Sequence, residues 1–218
     1  MAPNRNSIGE RMLRATFASL YGCCDWAYDS VAWCISGGLW KKWTFAAEGF
    51  VCEQPVVEVG VGRGHLLAHM AQQGWQVIGI DNSLQMVKAA QHRLKNGRLP
   101  GAVICADGRS LPLPDGAAGT IVSAFPSPYV LERQTWVEFA RVLRPSGRWI
   151  IVDDPMPDRF HPRLVGMYVT TFLRRILRGQ KGSADEINVA PDLFPIQRQE
   201  LVPVGPTRVR VWILCRGE

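Results

Sequence analysis

The sequence predicts an α/β fold: a mostly parallel, seven-stranded sheet with helices on both faces and an antiparallel C-terminal hairpin. Three observations carry this. Apolar runs at 56–59, 76–81, 102–106, 120–125 and 148–153 are short and bounded by turn residues, which suits strands buried on both faces. Segments with helical spacing separate most of them, and strands alternating with helices form parallel sheets. The last two runs, 197–204 and 208–215, alternate in polarity around Gly205, Pro206 and Thr207, as a hairpin requires. At 218 residues, 47% of them hydrophobic, the chain suits one compact unit with an ample core.

The first strand, Val56-Val57-Glu58-Val59, ends beside an acid and opens into Gly60-Val61-Gly62-Arg63-Gly64-His65. Glycines at this spacing let the chain turn sharply and let a ligand approach the backbone. Leu66, Leu67, His69 and Met70 then carry a helical rhythm. The dinucleotide fingerprint G-x-G-x-x-G needs a further glycine where this chain has His65 or Leu67, so an NAD site is disfavoured.

The second strand ends at Asp81, an acid able to accept from both hydroxyls of a ribose. Asn82 follows, and Ser83 is placed to cap a helix running to about Asn96 and stopping at Gly97. The third strand ends at Asp107-Gly108, ahead of Leu111-Pro112. Glu58, Asp81 and Asp107 therefore stand at three successive strand ends, along the carboxyl edge where open α/β sheets bind ligands. The fourth strand ends at Phe125 and leads into Pro126-Ser127-Pro128-Tyr129; a helix over 130–143, a turn over 144–147 and the fifth strand complete the parallel part.

These segments resemble the class I S-adenosylmethionine-dependent methyltransferases. The likeness lies in E-x-G-x-G-x-G from Glu58, D-x-S-x-x-M from Asp81 to Met86, and the Asp107 to Asp115 segment, and extends over about residues 20–155. Tyr28-Asp29-Ser30-Val31-Ala32 and the run 36–43 look like the Y-D-x-x-N and S-x-G-x-x-x-x-W segments of ubiquinone/menaquinone C-methyltransferases, with Ala32 in place of asparagine. Glu58 and the Gly60-Val61-Gly62-Arg63 loop depart from that group and are closer to bacterial phospholipid N-methyltransferases.

The resemblance implies a Rossmann-like fold, S-adenosyl-L-methionine as cofactor and a small, lipophilic acceptor of quinone-precursor or phospholipid type. It assigns the cofactor site to Glu58, Gly60, Gly62, Gly64, Asp81, Asn82, Met86, Asp107, Gly108, Phe125 and Tyr28. The glycine loop would lie under the cofactor's amino-acid end, Asp81 on the ribose, and Asp107 on the adenine amine. Met86 has two readings, a border to the adenine or a core methionine. Pro126 stands where nucleobase and glutamine methyltransferases carry the asparagine of N-P-P-Y. Proline has no side-chain amide, so that mechanism is not expected.

Residues 1–50 hold many aromatic residues and read as a helical cap over the site, with 51–218 as the cofactor-binding unit. The formal charge is +6, and basic residues concentrate in an amphipathic segment at 159–178. That segment either packs its apolar stripe on the sheet with its arginines in water, or docks on an anionic membrane surface. Residues 179–195 read as a mobile loop. Six cysteines without C-x-x-C spacing read as reduced, buried thiols, and the four histidines suggest no metal site. No run is long enough to cross a membrane, which leads us to expect a cytoplasmic protein. Candidate general bases by residue type are Tyr28, Tyr129, His65 and His161. Two rival readings stand beside the lipid one: an RNA or protein methyltransferase, drawn from the basic surface, and a non-catalytic scaffold that retains the fold.

Overall fold

A computed structural model describes residues 36–158 and 189–217. Tyr28, His161, Cys23, Cys24, Cys34, the basic segment 159–178 and most of the 1–50 cap lie outside the described residues. Those from Lys41 onward belong to one compact unit.

Seven strands form one sheet in the order β3-β2-β1-β4-β5-β7-β6. They are β1 (Val56–Val59), β2 (Val77–Asp81), β3 (Ala102–Cys105), β4 (Ala118–Ala124), β5 (Leu143–Pro157), β6 (Ile196–Val204) and β7 (Thr207–Cys215). The first five are mutually parallel. β7 runs antiparallel to both β5 and β6. Among the described residues four α-helices accompany them: α1 (Trp40–Phe45), α2 (His65–Gln72), α3 (Leu84–Gly97) and α4 (Arg133–Val142). The order reverses between β1 and β4, so right-handed crossovers place α2 and α3 on one face and α4 on the other. A crevice at the carboxyl ends of β1 and β4 follows from this reversal.

Packing explains the local choices. β1 is buried throughout, consistent with its unbroken apolar run apart from Glu58. Gly79 in β2 is small because a Cβ there would sit 2.8 Å from Leu67 of α2 and 2.9 Å from Val61. On the α4 side Trp149 meets Phe139 edge-on at 4.7 Å between ring centroids and Trp136 at 5.2 Å. Each such pair adds about 0.5–1.5 kcal/mol beyond its area burial.

Several expectations need correction. Gly97 is the last residue of α3, and Arg98 takes the left-handed position after it, at φ 52°. The helix over 130–143 is divided: a single 3-10 turn spans Pro128–Leu131, and α4 begins at Arg133. The expected turn at 144–147 is a register irregularity inside the longer β5, with Ser146 at φ 62°. The described part of the expected loop, 189–195, contributes to the core, since Ala190 and Phe194 are fully buried and Phe194 stacks edge-on against Trp136 at 5.5 Å. The described cysteines are free, as expected, but Cys52 and Cys105 are exposed and Cys215 half-buried. Cys105 is open because β3 is an edge strand. Among the described residues no helix is long and apolar enough to cross a membrane.

Candidate functional site

β1 and β2 pair in register from Val56↔Val77 to Val59↔Ile80, and this brings the first two acid-bearing strand ends together. β2 and β3 pair through Asp81↔Cys105, which adds the third, Asp107, two residues further on. The Gly60 and Val61 N–H groups both donate to the Ile80 carbonyl, at 2.8 and 3.0 Å, fastening the glycine turn to the end of β2. Gly60, Gly62 and Gly64 all have left-handed φ, at 83°, 51° and 72°. Gly64 has a second constraint, since a Cβ there would lie 2.8 Å from the Ala90 Cβ of α3.

Glu58 is 3% exposed. Burial pushes its carboxyl well above the usual carboxylate range; the Leu67 N–H in the first turn of α2 opposes this, and the Asp81 charge adds to it. Its Oε2 is buried without a hydrogen-bond partner among the described residues. A buried acceptor of this kind is costly unless a donor meets it.

Asp81 is used from both oxygens. Oδ2 accepts from the Gly62 N–H and Oδ1 from the Ser83 N–H, each at 2.9 Å. Each carboxylate oxygen has a second lone pair, so room for two ligand hydroxyls is left. Asn82 is exposed, and Met86 is buried in the first turn of α3, where Ser83 caps the helix as expected.

Asp107 is held by a residue that the sequence reading passed over. Arg109 donates through its backbone N–H and Nε to Asp107 Oδ1, both at 2.9 Å, and through Nη2 to Oδ2 at 2.7 Å. These bonds hold the Asp107 carboxyl below the usual carboxylate range. The signal was an arginine two residues after a strand-end acid, a spacing that no helix or strand period marks.

Tyr129 lies nearer the glycine turn than the sequence suggested. Its hydroxyl donates to the Val59 carbonyl at 3.3 Å, and a Cβ on Gly108 would come within 2.9 Å of its ring. Burial first, and then the charges of Asp81, Asp107 and Glu58, raise the phenol pKa, against a lowering hydrogen bond from Ser123. The phenol therefore stays protonated and serves as a donor. His65 Nε2 stands 3.2 Å from the Arg93 guanidinium, which has donors only, so this nitrogen is an acceptor already engaged. His69 pairs with Glu48 at 2.7 Å and stacks on Phe45 at 4.1 Å, away from His65's partner.

Phe125 sits one residue beyond β4 at φ 50°, its N–H donating to the Val152 carbonyl at 2.7 Å. A bulky residue in the left-handed region is unusual and stores strain. Its ring centroid lies 6.3 Å from that of the buried Trp43.

The fold has known counterparts, and residues 57–151 match the methyltransferase domain family. Over that stretch the chain resembles the class I S-adenosylmethionine-dependent methyltransferases. The domain is 30% identical over 149 residues to the ubiquinone/menaquinone biosynthesis C-methyltransferase UbiE of Syntrophotalea carbinolica, covering 65% of this chain and 61% of that one. It is 29% identical over 140 residues to the demethylmenaquinone methyltransferase of Tropheryma whipplei, covering 64% and 58%. The chain thus spans about three fifths of the length of these relatives. In fold it is similar to Haemonchus contortus phospholethanolamine N-methyltransferase 2, with a TM-score of 0.66 at 13% identity over 92% of this chain and 59% of that one. The methyltransferase domain includes β1 through most of β5 and hence all three strand-end acids.

Proposed function

We propose that this protein is an S-adenosylmethionine-dependent methyltransferase acting on a small, lipophilic acceptor of quinone-precursor or phospholipid type. The observation that carries the reading is the set of three acids, Glu58, Asp81 and Asp107, around one glycine turn at the sheet's reversal point. The site fits the cofactor on two counts. Glu58 presents a buried acceptor without a partner among the described residues, and Gly60 and Gly108 leave the backbone bare beneath Tyr129.

In this reading Asp81 takes the ribose hydroxyls, Asp107 the adenine amine, and Met86 and Asn82 border the nucleoside. Glu58, Gly60, Gly62 and Gly64 line the amino-acid end, and Phe125 flanks the reacting end. When bound, the cofactor supplies a methyl group already activated by its sulfonium. What this chain contributes is alignment and exclusion of water, and orientation of this kind is worth up to about 7–11 kcal/mol. Tyr129, kept protonated, donates a hydrogen bond and does not remove a proton.

The lipophilic acceptor is supported by the Trp43 and Phe125 rings near the end of β4 and by the quinone chemistry in the names of the two bacterial relatives. The basic segment 159–178 would bring the protein to an anionic membrane face. Isothermal titration with S-adenosylmethionine, S-adenosylhomocysteine and NAD tests the cofactor. Micromolar binding of the first two with none of NAD is expected, and silence from both sulfur nucleosides would refute it. Methyl transfer from radiolabelled cofactor to demethylated quinols or to phosphatidylethanolamine vesicles then tests the acceptor class.

A further inference from the structure

We propose that Arg109 is a specificity-determining positioning residue, which aims one free lone pair of Asp107 at the amino group of the cofactor's adenine. The inference rests on the cofactor reading above and goes beyond it in naming what makes the site select an amino purine. A carboxylate offers about four in-plane acceptor positions. Arg109 takes two on Oδ1, with its backbone N–H and Nε, and one on Oδ2, with Nη2. One position remains, on Oδ2.

Asp107 is therefore not a freely rotating carboxylate at a strand end. The two-pronged guanidinium fixes its plane, because fork-to-fork pairing is directional as well as strong. Arg109 is itself braced from the far side. Its Nη1 reaches Glu132 at 3.3 Å and its carbonyl accepts from Gln134 Nε2 at 3.4 Å, tying the turn after β3 to the start of α4. The pair is about two-fifths exposed, 41% for Arg109 and 43% for Asp107. Ion pairs that open to water add little to stability, so the consequence of this geometry falls on the ligand. The site would accept an adenine, whose six-position donates, and reject a hypoxanthine, whose six-position carries an acceptor oxygen against the carboxylate.

The test compares S-adenosylhomocysteine with S-inosylhomocysteine, which differs in the six-substituent and in a proton on N1, by calorimetric titration of the whole protein. Wild type should prefer the adenine form by at least about tenfold, the effect of one charge-assisted hydrogen bond. Arg109→Ala should shrink that preference to below about threefold, and Arg109→Lys, which keeps the charge and loses the fork, should fall between. In an Asp107→Asn background Arg109→Ala should leave the preference unchanged. Thermal melts report folding, and Arg109→Lys serves if the alanine variant is unstable. An Arg109→Ala protein that binds both ligands more weakly but keeps the wild-type ratio overturns the proposal, because a purely structural role weakens both alike. Wild type binding both ligands equally overturns it too while leaving the cofactor site standing; wild type binding neither refutes the cofactor reading itself.

Discussion

Asp81 Oδ2 accepts the Gly62 N–H at 2.9 Å, so the acid at the end of β2 holds in place the glycine turn at the end of β1. The same carboxylate accepts from Ser83 at the start of α3. Any ligand group that binds Asp81 therefore meets a residue already fixed to both neighbouring segments. Asp81→Ala should cost about 1–3 kcal/mol of stability, through two backbone donors left short of a partner. It should also weaken S-adenosylhomocysteine binding by about tenfold or more. Urea melts and calorimetry on the same preparation check both halves, and an unchanged affinity would contradict the ribose assignment.

Glycines 62 and 64 look alike in the sequence and differ in their surroundings. Both have left-handed φ, but a Cβ on Gly62 meets nothing within 4 Å, whereas one on Gly64 lies 2.8 Å from Ala90 Cβ. Gly62→Ala should cost only the backbone term, about 1–2 kcal/mol. Gly64→Ala adds overpacking between α2 and α3, for a total of about 2–5 kcal/mol. Equal losses in denaturant titrations would mean that α2 and α3 separate more easily than their packing implies.

The buried acid predicts a pH dependence. In the unfolded chain Glu58 titrates in the usual carboxylate range, and in the folded chain well above it. Between those two limits the folded state binds more protons, so this group's contribution to stability declines as pH rises through the window. Glu58→Gln removes that decline. The variant's stability relative to wild type should increase from about pH 5 upward, whereas below the carboxylate range the two curves should run parallel. Parallel curves throughout would remove Glu58 as the cause.

Trp43 of α1 and Thr207, the first residue of β7, share a buried hydrogen bond of 2.8 Å across 164 residues of chain. Thr207→Val should cost about 1–3 kcal/mol, since it takes the acceptor from the buried indole N–H and the hydroxyl donor from the Val204 carbonyl, and Trp43→Phe should cost a similar amount through the volume it leaves empty, the Thr207 hydroxyl still donating to Val204. The double variant should cost less than the sum. Strict additivity in thermal unfolding would show that the bond contributes nothing of its own.

The strand-end acids were legible because each lies in or just after a short apolar run, a pattern that burial on both sheet faces imposes. The misreadings have equally local causes. Gly97 looked like the residue after the helix, yet it is the last helical residue, and the left-handed position falls on Arg98. Leu99 closes the helix by donating its N–H to the Leu94 carbonyl at 2.9 Å. Composition marked 189–195 as loop, which it is, but not that Phe194 would plug a gap between Trp136 and Trp149. The Arg109–Asp107 clasp left no trace because the two residues are neighbours in a turn, where spacing carries no period. Residue types identified the acids; only coordinates showed which of their lone pairs are already taken.

β7 lies inside the sheet, with β5 on one side and β6 on the other. It is also the last of the seven to be synthesised, so a nascent chain that has not yet released Thr207–Cys215 from the ribosome carries a β5 with one raw edge and a β6 with no neighbour. That edge includes Trp149, Ile150, Ile151 and Val152, an apolar run of the kind that seeds intermolecular strand pairing. The vulnerable moment in this protein's life therefore comes before β7 has left the ribosome, when chaperone protection of β5 would count most.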